Sequence, residues 1–239
     1  MRTIAQLQTL LHASVTIPES RRTAFFKTEP GSYGAHDIFM GVTVPMLRII
    51  AKKFSGLTLE ELIQCISSRY NEERLLGLFI LTTQYKKAAS QDKETIYQLY
   101  MTHLTHINNW NLVDSSAHLI LGAHLFEKER STLLTLARSQ SLWERRIAIV
   151  ATWYFIRKND LEWMFVLAKL LLSDTHDLMH KAVGWMLREA GKKDESALVG
   201  FLEAHATHMP RTMLRYAIEK FPEPIRKEYL KRTYYSKKK

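Results

Sequence analysis

The sequence predicts an all-α fold, a solenoid of stacked helix pairs, and three observations carry that prediction. Apolar residues recur at helical spacing almost throughout the 239 residues, and strict two-residue alternation is hard to find. An acidic start followed by an apolar helix returns at Glu60, Asp92, Glu127, Asp160 and Asp194, at intervals of 32, 35, 33 and 34 residues. Gly and Pro are scarce, at nine and six, which disfavours a turn-rich all-β protein. A helix pair every 32–35 residues is the signature of an α-solenoid.

Taken in order, residues 1–57 read as an N-terminal cap. A helix near Thr3–Ala13 leads into a segment broken by Gly31, Gly34, Gly41 and Pro45, with Pro45 opening a helix that runs to Phe54. Helix pairs follow over 58–225. Their first helices are TLEELIQCISS, DKETIYQLYMTH, EKERSTLLTLARS, DLEWMFVLAKLLL and DESALVGFLEAH, each opening with the acidic residues that suit a helix N-terminus. Their second helices are EERLLGLFILTTQY, NLVDSSAHLILGAHL, WERRIAIVATWYFIR, LMHKAVGWMLREAG and PRTMLRYAIEKF. In stacked pairs the second helices line one face, typically the concave one. Residues 226–239 read as a basic tail, and no composition shift divides the chain, so one domain over 1–239 is expected.

The composition is that of a globular protein rather than a disordered one, with 46% hydrophobic and 24% charged residues. A single cysteine, Cys65, excludes an internal disulfide and fits a reducing compartment. The N-terminus lacks a signal-peptide pattern, and the most apolar run, Leu161 to Leu172, is short and interrupted by Glu162 and Lys169. A cytoplasmic protein with no membrane partner is the expectation. The net charge of +10 is unevenly placed: residues 209–239 hold ten Lys/Arg against three Glu, which is most of the surplus. Such a segment points to a polyanion, nucleic acid first, with a solvated tail as the bland alternative.

No HExxH, CxxC, P-loop or strand-linked GxGxxG is present, so no metal and no cofactor is expected. His176 and His180 stand four apart but lack a third ligand, and Cys65 lies on an apolar helix as a core residue. What stands out is NNWNLVD: Trp110 and Asp114 lie four apart, which on a helix stacks an indole beside an anion. Two similar clusters, Trp143 with Arg145 and Arg146, and Lys181 with Trp185, also fall on second helices. Residue by residue the alternatives stay open. Asp114 could simply pair with a lysine or arginine of a neighbouring repeat, and Trp110 and Trp185 could fill space between helices. Arg145 and Arg146 point about 100° apart on a helix, so one can face the surface while the other pairs with Glu144 or a neighbour.

The strings NNWNLVD, LWERRIA and KAVGWMLRE, in this order, resemble the AlkD-type DNA alkylation repair glycosylases, which are built of HEAT-like repeats. YGAHDIFMGVTVP and MPRTMLRYAIEKF are similar to that family too, and the resemblance spans about residues 20–225. It implies a monofunctional, metal-independent N-glycosylase that excises 3-methyladenine and 7-methylguanine from duplex DNA without drawing the base into a deep pocket. It implies a catalytic set of Asp114, Trp110, Trp185 and Arg146. Arg146, Lys181, Arg188, Arg211 and Arg215 are its expected DNA contacts, with Tyr33 approaching from the cap. The expected partner is double-stranded DNA carrying alkylated bases, bound by a monomer. Two further readings remain: a non-catalytic relative binding distorted or branched DNA, and a helical-repeat scaffold for an acidic protein partner.

Overall fold

A computed structural model of the chain describes residues 2–22 and 26–236, and side chains through Arg232. Among these residues there is no strand, only one isolated parallel bridge between Ile38 and Tyr70, and the fold is an all-α helical repeat. The chain divides into two compact units, 1–120 and 121–239, although its composition shows no shift there.

In the first unit the helices are Ile4–Ala13, Glu19–Arg22, Val44–Lys53, Leu59–Ile66, Asn71–Lys87, Ser90–Thr102 and Trp110–Ser116. Local chemistry sets most of the starts. Thr3 with Gln6 and Thr58 with Glu61 form capping boxes, each threonine oxygen taking an N3 amide while the N3 side chain returns to the cap. Pro45 sits in the first turn of Val44–Lys53, where a missing N–H costs nothing. Asn71–Lys87 is the central element: it packs against Val44–Lys53, Leu59–Ile66, Ser90–Thr102 and Trp110–Ser116. Its side chains are accordingly buried without interruption from Asn71 to Thr82.

The second unit repeats this plan with Ala123–Leu125, Ser131–Ala137, Leu142–Arg157, Glu162–Leu170, Asp177–Gly191, Glu195–His205, Arg211–Ala217 and Glu223–Ser236. Leu142–Arg157, Asp177–Gly191 and Arg211–Ala217 pack one on the next, the first two each backed by its own first helix and the last by Glu223–Ser236. Gly184 permits the last of these approaches. A Cβ there would lie 2.5 Å from the carbonyl oxygen of Met213 and 2.5 Å from Cβ of Tyr216. Gly184→Val should therefore overpack the interface and cost about 1–3 kcal/mol, read as a lowered thermal midpoint.

Several boundaries differ from the pattern. The stretch NLVDSSAHLILGAHL is not one α-helix: Trp110–Ser116 passes into a π-turn at His118–Gly122 before Ala123–Leu125. A single extra residue in a turn leaves hydrophobic spacing almost unchanged, so periodicity does not show it. The helix placed at Glu127 begins at Ser131, because Glu129 folds back onto the Ser131 amide and hydroxyl. The basic segment from 226 is no loose tail over the described residues: it belongs to the helix Glu223–Ser236, anchored by the buried Tyr229. Lys237, Lys238 and Lys239 lie outside the described residues.

Candidate functional site

The Trp110–Ser116 helix starts where Asn109 adopts an extended conformation and its side-chain oxygen accepts the Trp110 amide at 2.7 Å. Residues four apart lie about 6 Å apart along the axis and on one face. Trp110 and Asp114 meet that requirement, and both are half-buried. The indole is not isolated. Its ring stacks on Phe26 at 5.1 Å and 19°, and Phe26 stacks in turn on Phe39 at 4.2 Å and 20°.

Behind this stack lies a buried polar network. The Asp37 carboxylate, with its side chain fully enclosed, accepts from the Arg74 guanidinium and from the Asn109 side-chain amide. Arg74 also donates to the carbonyls of Ser68 and Arg69, at 2.9 and 3.3 Å. Its neighbour Glu72 accepts the amides of Met40, Gly41 and Val42, at 2.9, 2.8 and 3.4 Å. This holds a loop in which Gly41 has φ +96°. Glu73 takes Gln8 at 2.7 Å and Ser68 at 2.6 Å. Asn71 and Asn111 exchange side-chain amide bonds, at 2.7 and 3.4 Å. Four consecutive polar residues, Asn71 to Arg74, are therefore buried, and buried polar groups must be paired. None of them stands out by motif or spacing. The signal was a core helix that opens with NEER before LLGLFIL, a run too apolar to have a solvent-facing start.

In the second unit, Arg145 is committed to structure. It binds Asp174 at 2.7 and 3.5 Å and the carbonyls of Ser139 and Gln140 at 3.0 Å each. This is the pairing with a neighbour that the 100° offset allowed. Arg146 is 5% exposed and donates to the carbonyl of Leu178 at 2.6 Å. It thereby ties Leu142–Arg157 to the helix bearing Trp185. Trp185 is half-buried and meets Trp153 edge to face at 4.9 Å. Trp110 and Asp114 thus share one helix of the first unit, while Arg146 and Trp185 stand on adjacent helices of the second.

The remaining expected DNA contacts differ in availability. Lys181 pairs with Asp177 at 2.7 Å, which draws the Asp177 carboxyl below its usual value through that hydrogen bond. Arg188 is held by Glu219 and, at 3.4 Å, by Glu189. Arg211 is exposed and donates to the Leu230 carbonyl, while Arg215 is exposed and makes no ion pair with a described residue. Tyr33 is half-buried, its hydroxyl 3.5 Å from the Lys27 amide. Part of the C-terminal charge is matched locally, with Lys227 on Glu223 and Arg232 on Glu203 and Glu228. Exposed pairs of this kind are worth about 0–1 kcal/mol, so a phosphate can displace them.

His176 and His180 serve the backbone. His176 Nδ1 accepts the Leu178 amide at 3.1 Å as an N-cap, and His180 Nε2 lies 2.6 Å from the Asp174 carbonyl. Among the described residues no three His, Cys, Asp or Glu side chains converge to hold a metal. Burial pushes the Cys65 thiol up to about 12, so it is a core residue rather than a nucleophile. Desolvation holds His176 below its ordinary 6.5, against the opposing pull of Asp174. With the folded value depressed, the unfolded chain binds more protons as pH falls through 6.5, and stability is lost in that direction. The cap also needs Nδ1 unprotonated. Thermal midpoints should therefore decline as pH drops below about 6.5, and His176→Asn, which keeps a cap acceptor, should flatten that decline.

The first unit offers a carboxylate one turn from a supported indole; the second unit, by itself, carries cations on its second helices. No helix among the described residues is long and apolar enough to cross a membrane. None of the curated protein sequences matches the chain. A solved structure described as a predicted DNA alkylation repair enzyme from Enterococcus faecalis has the same architecture. Its TM-score is 0.65 at 13% identity, with 87% of this chain and 98% of that chain covered. The model of the DNA alkylation repair enzyme family matches residues 14–221, nearly the whole repeat region. The chain belongs to the DNA alkylation repair enzyme family.

Proposed function

We propose that this protein hydrolyses the N-glycosidic bond of cationic alkylpurines, 3-methyladenine and 7-methylguanine, in duplex DNA. The observation that carries the reading is Asp114 one helical turn from Trp110, whose indole is braced from behind by Phe26 and Phe39. A cationic base is already a good leaving group, so no acid is needed to expel it. As the C1′–N bond breaks, its electron pair neutralises the base and positive charge develops on the deoxyribose. Asp114 stabilises that charge and orients the water whose oxygen bonds to C1′, the released proton passing to the carboxylate or to solvent. Trp110 offers its π face to the cation. In the same reading Trp185 provides a second aromatic surface. Arg146, Lys181, Arg188, Arg211 and Arg215 contribute to phosphate binding, with exposed Arg215 the most available. Tyr33 contacts the lesion strand.

A second reading, binding without chemistry, draws on the burial of Arg146 and its bond to the Leu178 carbonyl, which give that guanidinium structural work. A duplex with a single 7-methylguanine separates the two. The glycosylase reading predicts an abasic site, revealed by strand cleavage in alkali. Salt-sensitive binding with no abasic site above the spontaneous level would establish the second reading instead.

A further inference from the structure

We propose that Asp37 is a positioning residue for Trp110, acting through Asn109; this rests on the reading of Trp110 as part of the reacting site. The Asn109 side chain works as a two-ended relay. Its nitrogen donates to the enclosed Asp37 carboxylate, and its oxygen accepts the Trp110 amide at 2.7 Å. Asp37 is itself immobile, because its other oxygen is held by the Arg74 guanidinium at the start of the central helix. The same loop also reaches the indole from the ring side. Phe39, two residues along, supports Phe26, and Phe26 supports Trp110. Between them, Ile38 accepts the Asn71 amide through its carbonyl at 3.0 Å, while its side chain stays 46% exposed.

This loop approaches Asn109 closely. A Cβ on Gly34 would lie 2.7 Å from the Lys27 carbonyl oxygen and 3.6 Å from the Asn109 side-chain nitrogen. On the far side, Asn111 is tied to Asn71. Both neighbours of Trp110 are therefore anchored to buried polar groups, and its ring is anchored to the Asp37–Phe39 loop. An indole that only filled space would need the apolar contacts and none of the amide relay. A fixed ring is what stacking on a cationic base requires, since misplacement by about 1 Å can cost a hundredfold in rate.

The test uses the full chain labelled with 5-fluorotryptophan, with the Trp110 resonance assigned by Trp110→Phe. Asn109→Ser keeps a capping oxygen but removes the amide that meets Asp37, and it leaves the Asp37–Arg74 pair in place. It should shift or broaden the Trp110 signal, leave unchanged the signal of Trp163 in the Glu162–Leu170 helix of the second unit, and lower single-turnover base release about tenfold at unchanged duplex affinity. Asp37→Asn should move the same resonance. Gln84→Ala, which removes bonds to the Ser55 and Leu57 carbonyls at the other end of the central helix, is the comparison for general destabilisation. It should lower the thermal midpoint yet leave both the Trp110 signal and the rate alone. An unmoved Trp110 resonance in folded Asn109→Ser, or the same shift in Gln84→Ala, overturns the proposal. If the unsubstituted protein releases no base, the proposed function fails while the resonance comparison still decides the positioning role.

Discussion

Asp114→Asn is expected to slow release of 7-methylguanine from duplex DNA by about a hundredfold or more, the scale at which removing one transition-state electrostatic contact acts. Duplex affinity should stay within about twofold, because a carboxylate near the sugar adds nothing attractive to a polyanion in the ground state. The two outcomes are coupled by charge. The deoxyribose charge that Asp114 stabilises develops only as the glycosidic bond opens, so its contribution appears in the rate and not in binding. Single-turnover excision with anisotropy on the same oligonucleotide reads both. Full activity in Asp114→Asn would remove this residue from the chemistry. A large loss of affinity would instead mean that Asp114 supports the fold of its short helix.

The second large effect is on stability. Arg74→Met leaves the enclosed Asp37 carboxylate without its counter-charge in a low-dielectric setting, a change that typically costs about 3–5 kcal/mol. In a unit of this size that corresponds to a thermal midpoint lower by roughly 10–20 °C. Asp37→Leu combined with Arg74→Met should recover part of the loss, because the cost lies in the uncompensated charge and not in the missing bond. Circular dichroism melts of the single and double variants measure this. A loss below about 1 kcal/mol in Arg74→Met would show the pair to be no stronger than a surface one.

These expectations depend on residues of very different legibility. The helix pairs were readable because burying one face of a helix imposes a 3.6-residue apolar period, and stacking imposes a second period near 34. Trp110 and Asp114 were readable because an anion beside an indole departs from that rule. The supporting network was not. Asp37 lies in a loop, where no periodicity operates, and Asn71 to Arg74 look like an ordinary polar helix start until the burial of both ends of each pair is known. Arg145 and Arg146 could not be separated by spacing alone. Only the Asp174 carboxylate and the Leu178 carbonyl, on neighbouring elements, show that both guanidiniums have structural partners. Which of the C-terminal charges are matched within the fold was illegible for the same reason. Glu203, outside that segment, engages Arg232, while Glu219 within it is engaged by Arg188 from outside, and a running count of charge along the chain does not register partners distant in sequence.

The most direct measurement is mass-spectrometric detection of free base after incubating the protein with duplex DNA carrying one 7-methylguanine, under single-turnover conditions and with chelator present. Release of 7-methylguanine well above the spontaneous rate, leaving an intact strand with an abasic site, is the predicted result. A duplex held in complex through long incubation with no free base above background would contradict it.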